Sequence, residues 1–252
     1  MTSHLPRFLI DRAAAPGDVV PLRPEEAKHA RVRRLGAGDA VALFDGAGRS
    51  YLGRVESLSR DGAAVRIDDA LPERDAESPL DLTLAIATLK ADRLDWVVEK
   101  ATELGVARIQ PFTSAHTLAR PSPDRQTRWR QIALAAAKQS GRSAAPAIAA
   151  SIAFDAVIAL PAALRILFAE DGRGAGLASA AHTAPGSLLA IVGGEGGFTA
   201  DELVAARAAG CQLVDLGPRI LRADTAAITA VALCQARWGD LGAPAPPAPF
   251  SV

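Results

Sequence analysis

The chain has 252 residues, 49% of them hydrophobic and 22% charged, with 28 basic and 28 acidic side chains. This composition excludes a disordered polypeptide, because the apolar fraction is large enough to form a core. A formal net charge of zero also excludes a protein coated with positive charge. Single domains become uncommon above about 250 residues, so two domains are expected.

The amino terminus lacks the cationic segment, apolar core and cleavage site of a secretory signal. The longest charge-free stretch, residues 174–194, contains His182, Pro185 and repeated glycines, which excludes a single membrane-spanning helix. Cys211 and Cys234 form no CxxC pair and the histidines are scattered, so neither a disulfide framework nor a metal site is expected. We therefore predict a cytoplasmic protein.

Residues 1–72 carry short apolar runs broken by turns, a pattern that predicts a small β-barrel. A short helix fits residues 24–35. Asp45-Gly46 and Asp61-Gly62 separate apolar runs, where a hairpin needs residues that tolerate positive φ. The predicted strands lie at residues 7–10, 40–44, 51–58 and 63–67.

The polar segment 71–79 is bracketed by Pro72 and Pro79, and we predict a linker at residues 73–80. From residue 81 to residue 241, strands and helices alternate, as in a parallel α/β sheet. The Pro- and Ala-rich residues 242–252 predict a disordered tail. Predicted strands lie at residues 80–87, 108–112, 165–169, 188–192 and 212–216. Predicted helices lie at residues 94–104, 125–140, 200–209 and 224–238.

A glycine-rich loop follows the predicted strand at residues 188–192. Four glycines surround Glu195, and Thr199 then provides a suitable helix N-cap. Ligands bind at the carboxyl ends of strands in open parallel sheets, and glycine lets the backbone approach a ligand closely. Glu195 would face the ligand or the helix dipole. A flexible loop with a solvated Glu is the alternative.

A second loop follows the strand at residues 212–216. It begins with Gly217-Pro218 and leads into a helix that starts near Asp224 or Thr225, either of which would serve as the N-cap. Two strand-end loops that each carry glycine and a carboxylate favour a shared pocket. A rival glycine-rich segment, residues 170–176, would suit a dinucleotide, but its glycine spacing departs from GxGxxG.

Basic residues are clustered locally in two parts of the sequence. Between residues 120 and 142, six basic side chains accompany a single acid. The second cluster comprises Lys28, Arg31, Arg33 and Arg34. Such patches can bind a phosphate backbone, although a charged helix face is usually only solvated.

The two loops, Leu189–Thr199 and Leu216–Ala227, resemble the signature loops of the SPOUT superfamily of S-adenosylmethionine-dependent RNA methyltransferases. The similarity is strongest to the RsmE family, which methylates N3 of a uridine in the decoding region of 16S ribosomal RNA. Residues 1–72 resemble that family's PUA-like RNA-binding barrel. The further matching segments, in family order, are residues 7–8, 29–34, 43–46, 89–106 and 129–142.

The resemblance implies an α/β fold in which residues 81–241 form a SPOUT-type, trefoil-knotted parallel sheet. Ordinary connection rules argue against a knot, so composition alone does not predict one. The resemblance also implies S-adenosylmethionine as cofactor, 16S rRNA within the small ribosomal subunit as substrate, and a homodimer. The implied cofactor-binding residues are Gly193, Gly194, Glu195, Gly196, Gly197, Leu216, Gly217, Ile220, Leu221, Thr225 and Ala226.

The chain departs from the family pattern at three positions. Gly194 stands where the first loop usually has Pro, and Ala223 and Asp224 stand where the second loop usually has Thr and Glu. The carboxylate is therefore one methylene shorter and the Thr hydroxyl is lost. These departures favour a second hypothesis, an RNA-binding protein of the same fold with weakened or lost catalysis.

Uridine N3 carries a proton at neutral pH, so methylation requires a base and a group that stabilises negative charge. We assign the base to Asp224 or Glu195, and the stabilisation of charge on the uracil oxygens to Arg222. Alternatively, the two carboxylates only cap helices or bind cofactor hydroxyls. A nicotinamide-dependent oxidoreductase that uses residues 172–176 is a third hypothesis.

The target uridine must be unpaired or extruded, because base pairing hides its N3. The RNA is expected to contact both parts of the chain. The assigned RNA-binding residues are Arg7, Arg31 and Arg34 of the barrel and Arg125, Arg128 and Arg142 of the basic helix.

Overall fold

The computed structural model describes residues 5–71, 77–117, 123–169, 175–180 and 183–244. The chain divides into two compact units. Unit 1 comprises residues 1–77, 137–145 and 244–252, and unit 2 comprises residues 78–136 and 146–243. Residues 73–76 of the predicted linker and residues 245–252 of the predicted tail lie outside the described residues.

Unit 1 is built on a five-stranded sheet with the strand order β1-β3-β4-β5-β2. Strand β1 pairs with β3 in parallel, and the other neighbours pair antiparallel. The elements are β1 (Arg7–Leu9), β2 (Val19–Pro21), α1 (Pro24–Val32), β3 (Ala40–Phe44), β4 (Ser50–Leu58) and β5 (Ala63–Leu71).

The core of unit 1 follows from the alternation of apolar side chains along its strands. In β5, Ala63, Val65 and Ile67 are buried while the residues between them are partly or fully exposed. Because successive side chains point to opposite faces of a sheet, this period of two gives one buried face. Phe8 and Leu43 pack in the same cluster and are fully buried.

The predicted turns of unit 1 form, with one difference in backbone conformation. Gly46 has a φ of 72°, as expected for the β3–β4 connection. Gly62, in the β4–β5 connection, has no positive φ. There the Ser59 hydroxyl accepts a hydrogen bond from the Asp61 N–H at 3.2 Å, and the Ser59 N–H donates to the Gly62 carbonyl at 2.9 Å. The side chain thus supports a turn that glycine was expected to require.

Unit 2 contains an eight-stranded sheet in which every pair of neighbours is parallel. The strand order is β11-β13-β10-β12-β6-β7-β8, and β9 pairs with β7. The strands are β6 (Asp81–Ala87), β7 (Arg108–Thr113), β8 (Ala147–Ile148), β9 (Ile152–Ala153), β10 (Leu164–Phe168), β11 (Ala175–Gly176), β12 (Ser187–Val192) and β13 (Gln212–Asp215).

The helices of the α/β part, together with a 3-10 turn, connect these strands. They are α2 (Ala91–Glu103), α3 (Pro123–Ser140), α4 (Phe154–Ile158), the 3-10 helix Leu177–Ser179, α5 (Ala200–Ala208) and α6 (Ala223–Trp238). The last residues of α3 belong to unit 1. Strand β12 is buried at every position after Ser187, which is typical of a parallel strand covered on both faces.

Every predicted helix and strand is present, and short elements were missed. The missed elements are β2, β8, β9, β11, α4 and the 3-10 helix, each two to five residues long. Segments this short show no hydrophobic period. Helix α1 ends at Val32 rather than residue 35, since Arg34 adopts a left-handed φ of 58°.

None of the helices among the described residues is long and apolar enough to cross a bilayer. Those residues also hold no group of three or more His, Cys, Asp or Glu side chains that could bind a metal ion.

A partly buried charged cluster joins α1 to residues 137–145 within unit 1. The Lys138 ammonium donates to Glu26 at 2.5 Å and lies 3.0 Å from His29 Nδ1. Arg33 Nε donates to His29 Nε2 at 3.1 Å, so both ring nitrogens face cationic donors. Burial lowers the pKa of His29 from its ordinary value of about 6.5, and the nearby charges of Lys138 and Arg33 lower it further against the opposing effect of Glu26.

We predict that this cluster makes stability fall on mild acidification. Because the native pKa of His29 is lowered, the unfolded chain binds the proton more readily, and the free energy of unfolding rises with pH up to about 6.5. Urea unfolding between pH 5 and pH 8 measures the slope of the unfolding free energy against pH. Because a single histidine binds one proton, its contribution to this slope is at most about 1.4 kcal/mol per pH unit. His29→Gln should flatten it; an unchanged slope would contradict the assignment.

Candidate active site

A cavity of about 550 Å³ lies in unit 2 where three neighbouring strands end. Phe168 ends β10, Val192 ends β12 and Leu216 follows β13, and all three line the cavity. Since these strands are parallel, their carboxyl ends meet at the same edge of the sheet. The predicted shared pocket between the two glycine-bearing loops is therefore present.

Most residues assigned to cofactor binding line this cavity, and so does Arg222. Gly217, Asp224 and Thr225 are not among the lining residues. The first turn of α6 explains the absence of Asp224 and Thr225, because Ala223 and Ala226, three residues apart, share the face that lines the cavity. The assigned residues that do line it are Gly193, Gly194, Glu195, Gly196, Gly197, Leu216, Ile220, Leu221 and Ala226.

The glycine-rich loop folds back on itself beside packed neighbours. The Gly197 N–H donates to the Gly194 carbonyl at 3.1 Å, and Gly197 has a φ of 63°. A Cβ on Gly193 would lie 3.1 Å from the Phe198 ring, and a Cβ on Gly196 would lie 2.7 Å from His116 Cβ. Close approach therefore requires glycine at position 196 and disfavours a side chain at position 193, and the left-handed backbone favours glycine at position 197.

The loop leads directly into α5 through a capping box. Thr199 accepts a hydrogen bond from the Glu202 N–H at 3.2 Å, and the Glu202 carboxylate accepts one from the Thr199 N–H at 2.8 Å. The predicted N-cap at Thr199 is thus confirmed. Phe198 stacks on Phe112 of β7, with ring centroids 6.5 Å apart. The loop is fixed at its helical end by hydrogen bonds and packing.

Two arginines, Arg93 and Arg222, and one acid, Glu195, are among the residues that line the cavity. Glu195 lies 3.6 Å from Arg93, and each is partly exposed. Arg222 is exposed. These groups leave an excess of one positive charge, which suits a ligand with an anionic or zwitterionic part. Arg93 was not among the predicted site residues. It lies in the first turn of α2, directly after strand β6 ends, so the strand-end rule applied to β6 would have found it.

Asp224 does not take the position that its sequence context suggested. The N-cap of α6 is Arg222, whose side chain makes no capping hydrogen bond, so the predicted N-cap at Asp224 or Thr225 is wrong. Asp224 lies in the first turn of the helix, where its carboxylate accepts a hydrogen bond from the Thr225 N–H at 2.9 Å. A negative charge in this turn is favourable to the helix dipole.

The arginines assigned to RNA in unit 1 differ in their surroundings. Arg31 and Arg34 are exposed, and neither forms an ion pair within the described part of the chain. Arg31 donates to the Ser59 carbonyl at 2.7 Å, which leaves its charge uncompensated. Arg7 is half-buried, 4.8 Å from the Phe44 ring centroid, and donates to the Arg142 carbonyl.

The three assigned residues of the basic helix region are also unequal. Arg142 is 4% exposed and its guanidinium donates to the Glu77 carboxylate at 2.8 Å. Arg128 is exposed but pairs with Asp95 at 2.7 Å. Arg125 is half-buried. These placements favour Arg31 and Arg34 over Arg142 as contacts for an anionic polymer.

Two family descriptions match the chain. Residues 76–235 match the RNA methyltransferase domain, and residues 22–68 match the RNA methyltransferase PUA domain. These matches cover parts of unit 2 and unit 1, respectively.

Individual relatives are similar over most of their length. The ribosomal RNA small subunit methyltransferase E of Synechocystis sp. is 34% identical over 207 residues, 80% of this chain and 67% of the relative. That of Mycobacterium bovis is 31% identical over 250 residues, 92% of each chain. The crystal structure of a ribosomal RNA small subunit methyltransferase E from Neisseria gonorrhoeae bound to S-adenosyl methionine has a TM-score of 0.86 and 34% identity, covering 94% of this chain and 99% of that chain.

We predict that alanine is tolerated unequally within the glycine-rich loop. A methyl group at Gly196 would collide with His116 Cβ, so Gly196→Ala should lower the free energy of unfolding by about 1–3 kcal/mol. At Gly194 the new Cβ would lie an ordinary 3.6 Å from Ala87 Cβ. Gly194→Ala is the matched control and should be neutral or stabilising by about 0.4–1 kcal/mol. Urea unfolding of both variants tests this; equal destabilisation would contradict the close approach at Gly196.

Proposed function

The chain belongs to the ribosomal RNA small subunit methyltransferase E family, and we propose that it transfers a methyl group from S-adenosylmethionine to N3 of a uridine in the decoding region of 16S rRNA, in the cytoplasm. One observation carries the proposal: both signature loops line one cavity at the ligand-binding edge of a parallel sheet. Its volume, about 550 Å³, is in the range of small-molecule sites.

The residues of the cavity fit S-adenosylmethionine. The glycine-rich loop presents backbone rather than side chains, and the apolar Leu216, Ile220 and Leu221 offer surface for a purine. Arg93 offers a positive charge to the carboxylate of the cofactor's amino-acid end. When bound, the cofactor supplies an electrophilic methyl group, and the protein supplies orientation.

The side chains at the cavity would assist the nucleophile. Uridine N3 must lose its proton, and Glu195 lines the cavity whereas Asp224 does not, so Glu195 is the better placed of the two candidate bases. Arg222 lines the cavity, and its guanidinium would stabilise negative charge on the uracil oxygens. Asp224 would then act by its charge in the first turn of α6, directly beside Ala223 of the cavity wall.

We also propose that the chain forms a homodimer and that the sheet of unit 2 carries a trefoil knot. Helices α2 and α6 contact each other, and each leaves a large apolar side chain exposed, Trp96 at 42% and Leu233 at 39%. Exposed apolar surface of this kind suits a second copy of the chain. Ile220, at the cavity, is 88% exposed and is a further residue that a partner could cover.

A catalytically weakened RNA-binding protein is the second candidate function. The placement of Asp224 outside the cavity favours it, together with the family departures at Ala223 and Asp224. Such a protein would bind S-adenosylmethionine without transferring the methyl group. The nicotinamide-dependent oxidoreductase hypothesis is set aside by the family membership, and residues 170–174 of its loop lie outside the described residues.

One experiment separates these functions. The purified protein is incubated with methyl-labelled S-adenosylmethionine and either naked 16S rRNA or small ribosomal subunits that lack the modification. The RNA is then digested and the labelled nucleoside identified. We expect 3-methyluridine. Label on another base would overturn the N3 assignment, and cofactor binding without labelled RNA would indicate the weakened relative.

We predict that Glu195→Gln slows single-turnover methylation by about 10²- to 10⁴-fold, the usual contribution of a general base. Asp224→Asn should have the smaller effect, because Asp224 does not line the cavity.

Arg222→Gln should lower the rate of methylation more than it lowers the affinity for the cofactor. Rates are measured at saturating cofactor, and isothermal titration gives the affinity. Near-normal rates in Glu195→Gln would contradict the assignment of Glu195 as the base. A larger loss of rate in Asp224→Asn than in Glu195→Gln would indicate that Asp224 is the base instead.

We predict that Arg31 and Arg34 bind RNA phosphates. Arg31→Ala with Arg34→Ala should weaken RNA binding and reduce the slope of log K against log[salt] by up to about 1.4 for single-stranded RNA. Arg66→Ala is the matched control, since Arg66 is also exposed but donates to Glu56 at 2.7 Å and 3.0 Å. Filter binding at several salt concentrations measures the slopes. An unchanged slope in the double variant would contradict these contacts.

A further inference from the structure

A four-residue turn after β7, Ser114–Thr117, lies beside the glycine-rich loop but is not among the residues that line the cavity. It is closed by its own hydrogen bonds: the Ser114 N–H donates to the Thr117 hydroxyl at 2.8 Å, and the Thr117 N–H donates to the Ser114 carbonyl at 3.0 Å. The turn therefore holds its shape through its own side chains, as ST-turns do.

Two hydrogen bonds join this turn to the glycine-rich loop and to the helix that follows it. His116 Nδ1 lies 2.8 Å from the Gly196 carbonyl oxygen. The Ala115 N–H donates to one oxygen of Glu202 at 2.9 Å, while the other oxygen closes the capping box of α5 with Thr199. The turn thus contacts both the glycine-rich loop and the first turn of α5.

The contact at His116 is close as well as polar. No Cβ could be placed on Gly196 without approaching His116 Cβ to 2.7 Å. Phe112 of β7, four residues before His116, stacks on Phe198, two residues after Gly196. Packing from β7 and hydrogen bonding from the turn that follows it therefore act on the same short stretch of the loop.

The chemistry of the bond assigns the histidine proton. A carbonyl oxygen only accepts, so Nδ1 carries the hydrogen when the bond is formed. The Gly196 carbonyl is thereby occupied, and the peptide that follows Gly196 loses rotational freedom. Glycine loses more conformational freedom on ordering than any other residue, so a loop with four glycines binds weakly unless it is ordered beforehand.

We propose that His116 is a positioning residue for the cofactor: it acts through the Gly196 carbonyl to hold the loop 193–197 in its binding conformation. This inference rests on the proposed function, since it concerns the same cavity. His116 is not among the residues that line the cavity, so its effect is on the order of the loop rather than on cofactor contact.

The test is the affinity for S-adenosylhomocysteine, measured by isothermal titration for three substitutions. His116→Asn keeps an N–H donor close to the position of Nδ1, whereas His116→Asp presents only acceptors and His116→Ala presents nothing. We expect His116→Ala to bind about three- to tenfold more weakly, since tenfold is about 1.4 kcal/mol and one neutral hydrogen bond contributes about that or less. His116→Asp should bind more weakly still, and His116→Asn within about twofold of the wild type.

Two further measurements separate positioning from general stability. The melting temperature without ligand should change little between His116→Asn and His116→Ala. In His116→Ala, the KM for S-adenosylmethionine should rise, whereas kcat, the rate at saturating cofactor, should change less. Equal weakening in His116→Asn and His116→Ala, or no weakening in any variant, would overturn the proposal. If the wild type itself bound no S-adenosylhomocysteine, the proposed function would fail first, so the two failures are distinguishable.

Discussion

The site depends on one steric constraint, the close approach of backbone at the edge of a parallel sheet. Strands β10 and β12 end side by side, and the chain after β12 must turn within the space left by Phe198 and His116. Only residues without a Cβ fit at Gly193 and Gly196 without a shift of these neighbours. The cavity, the capping box of α5 and the exposure of loop backbone to a ligand all follow from that turn.

Charge pairing then decides which cations remain available for a ligand. The sequence contains many arginines, but Arg142 and Arg128 are matched to Glu77 and Asp95. A guanidinium paired with a carboxylate attracts a phosphate only weakly. Arg31 donates to a neutral backbone carbonyl instead, so its positive charge stays available to a phosphate. At the cavity, Arg93 faces Glu195 and Arg222 is left exposed. Pairing thus leaves only a small subset of the basic side chains available for a ligand.

Much of the fold was predictable because its long elements have clear periods. The apolar runs of β6, β10 and β12 and the helices between them predict a parallel sheet, and strand ends then predict the ligand edge. The strand order was not predictable, since β10, β12 and β6 become neighbours only through crossovers that no local pattern encodes. The role of residues 137–145 in unit 1 was equally hidden, because Lys138 meets Glu26 over a sequence distance of more than a hundred residues.

The sequence by itself determined the existence of the long helices and strands, the glycine positions and the family resemblance, because these depend on local period and residue type. Only the tertiary structure decided which assigned residues reach the cavity. It placed Arg93 and Glu195 together and left Asp224 outside, since the face that a helical residue presents depends on how α6 packs, not on its neighbours in the chain. It also brought His116 to Gly196, 80 residues away in sequence. Side-chain direction and long-range contact are properties of packing, and packing is what the sequence pattern alone does not specify.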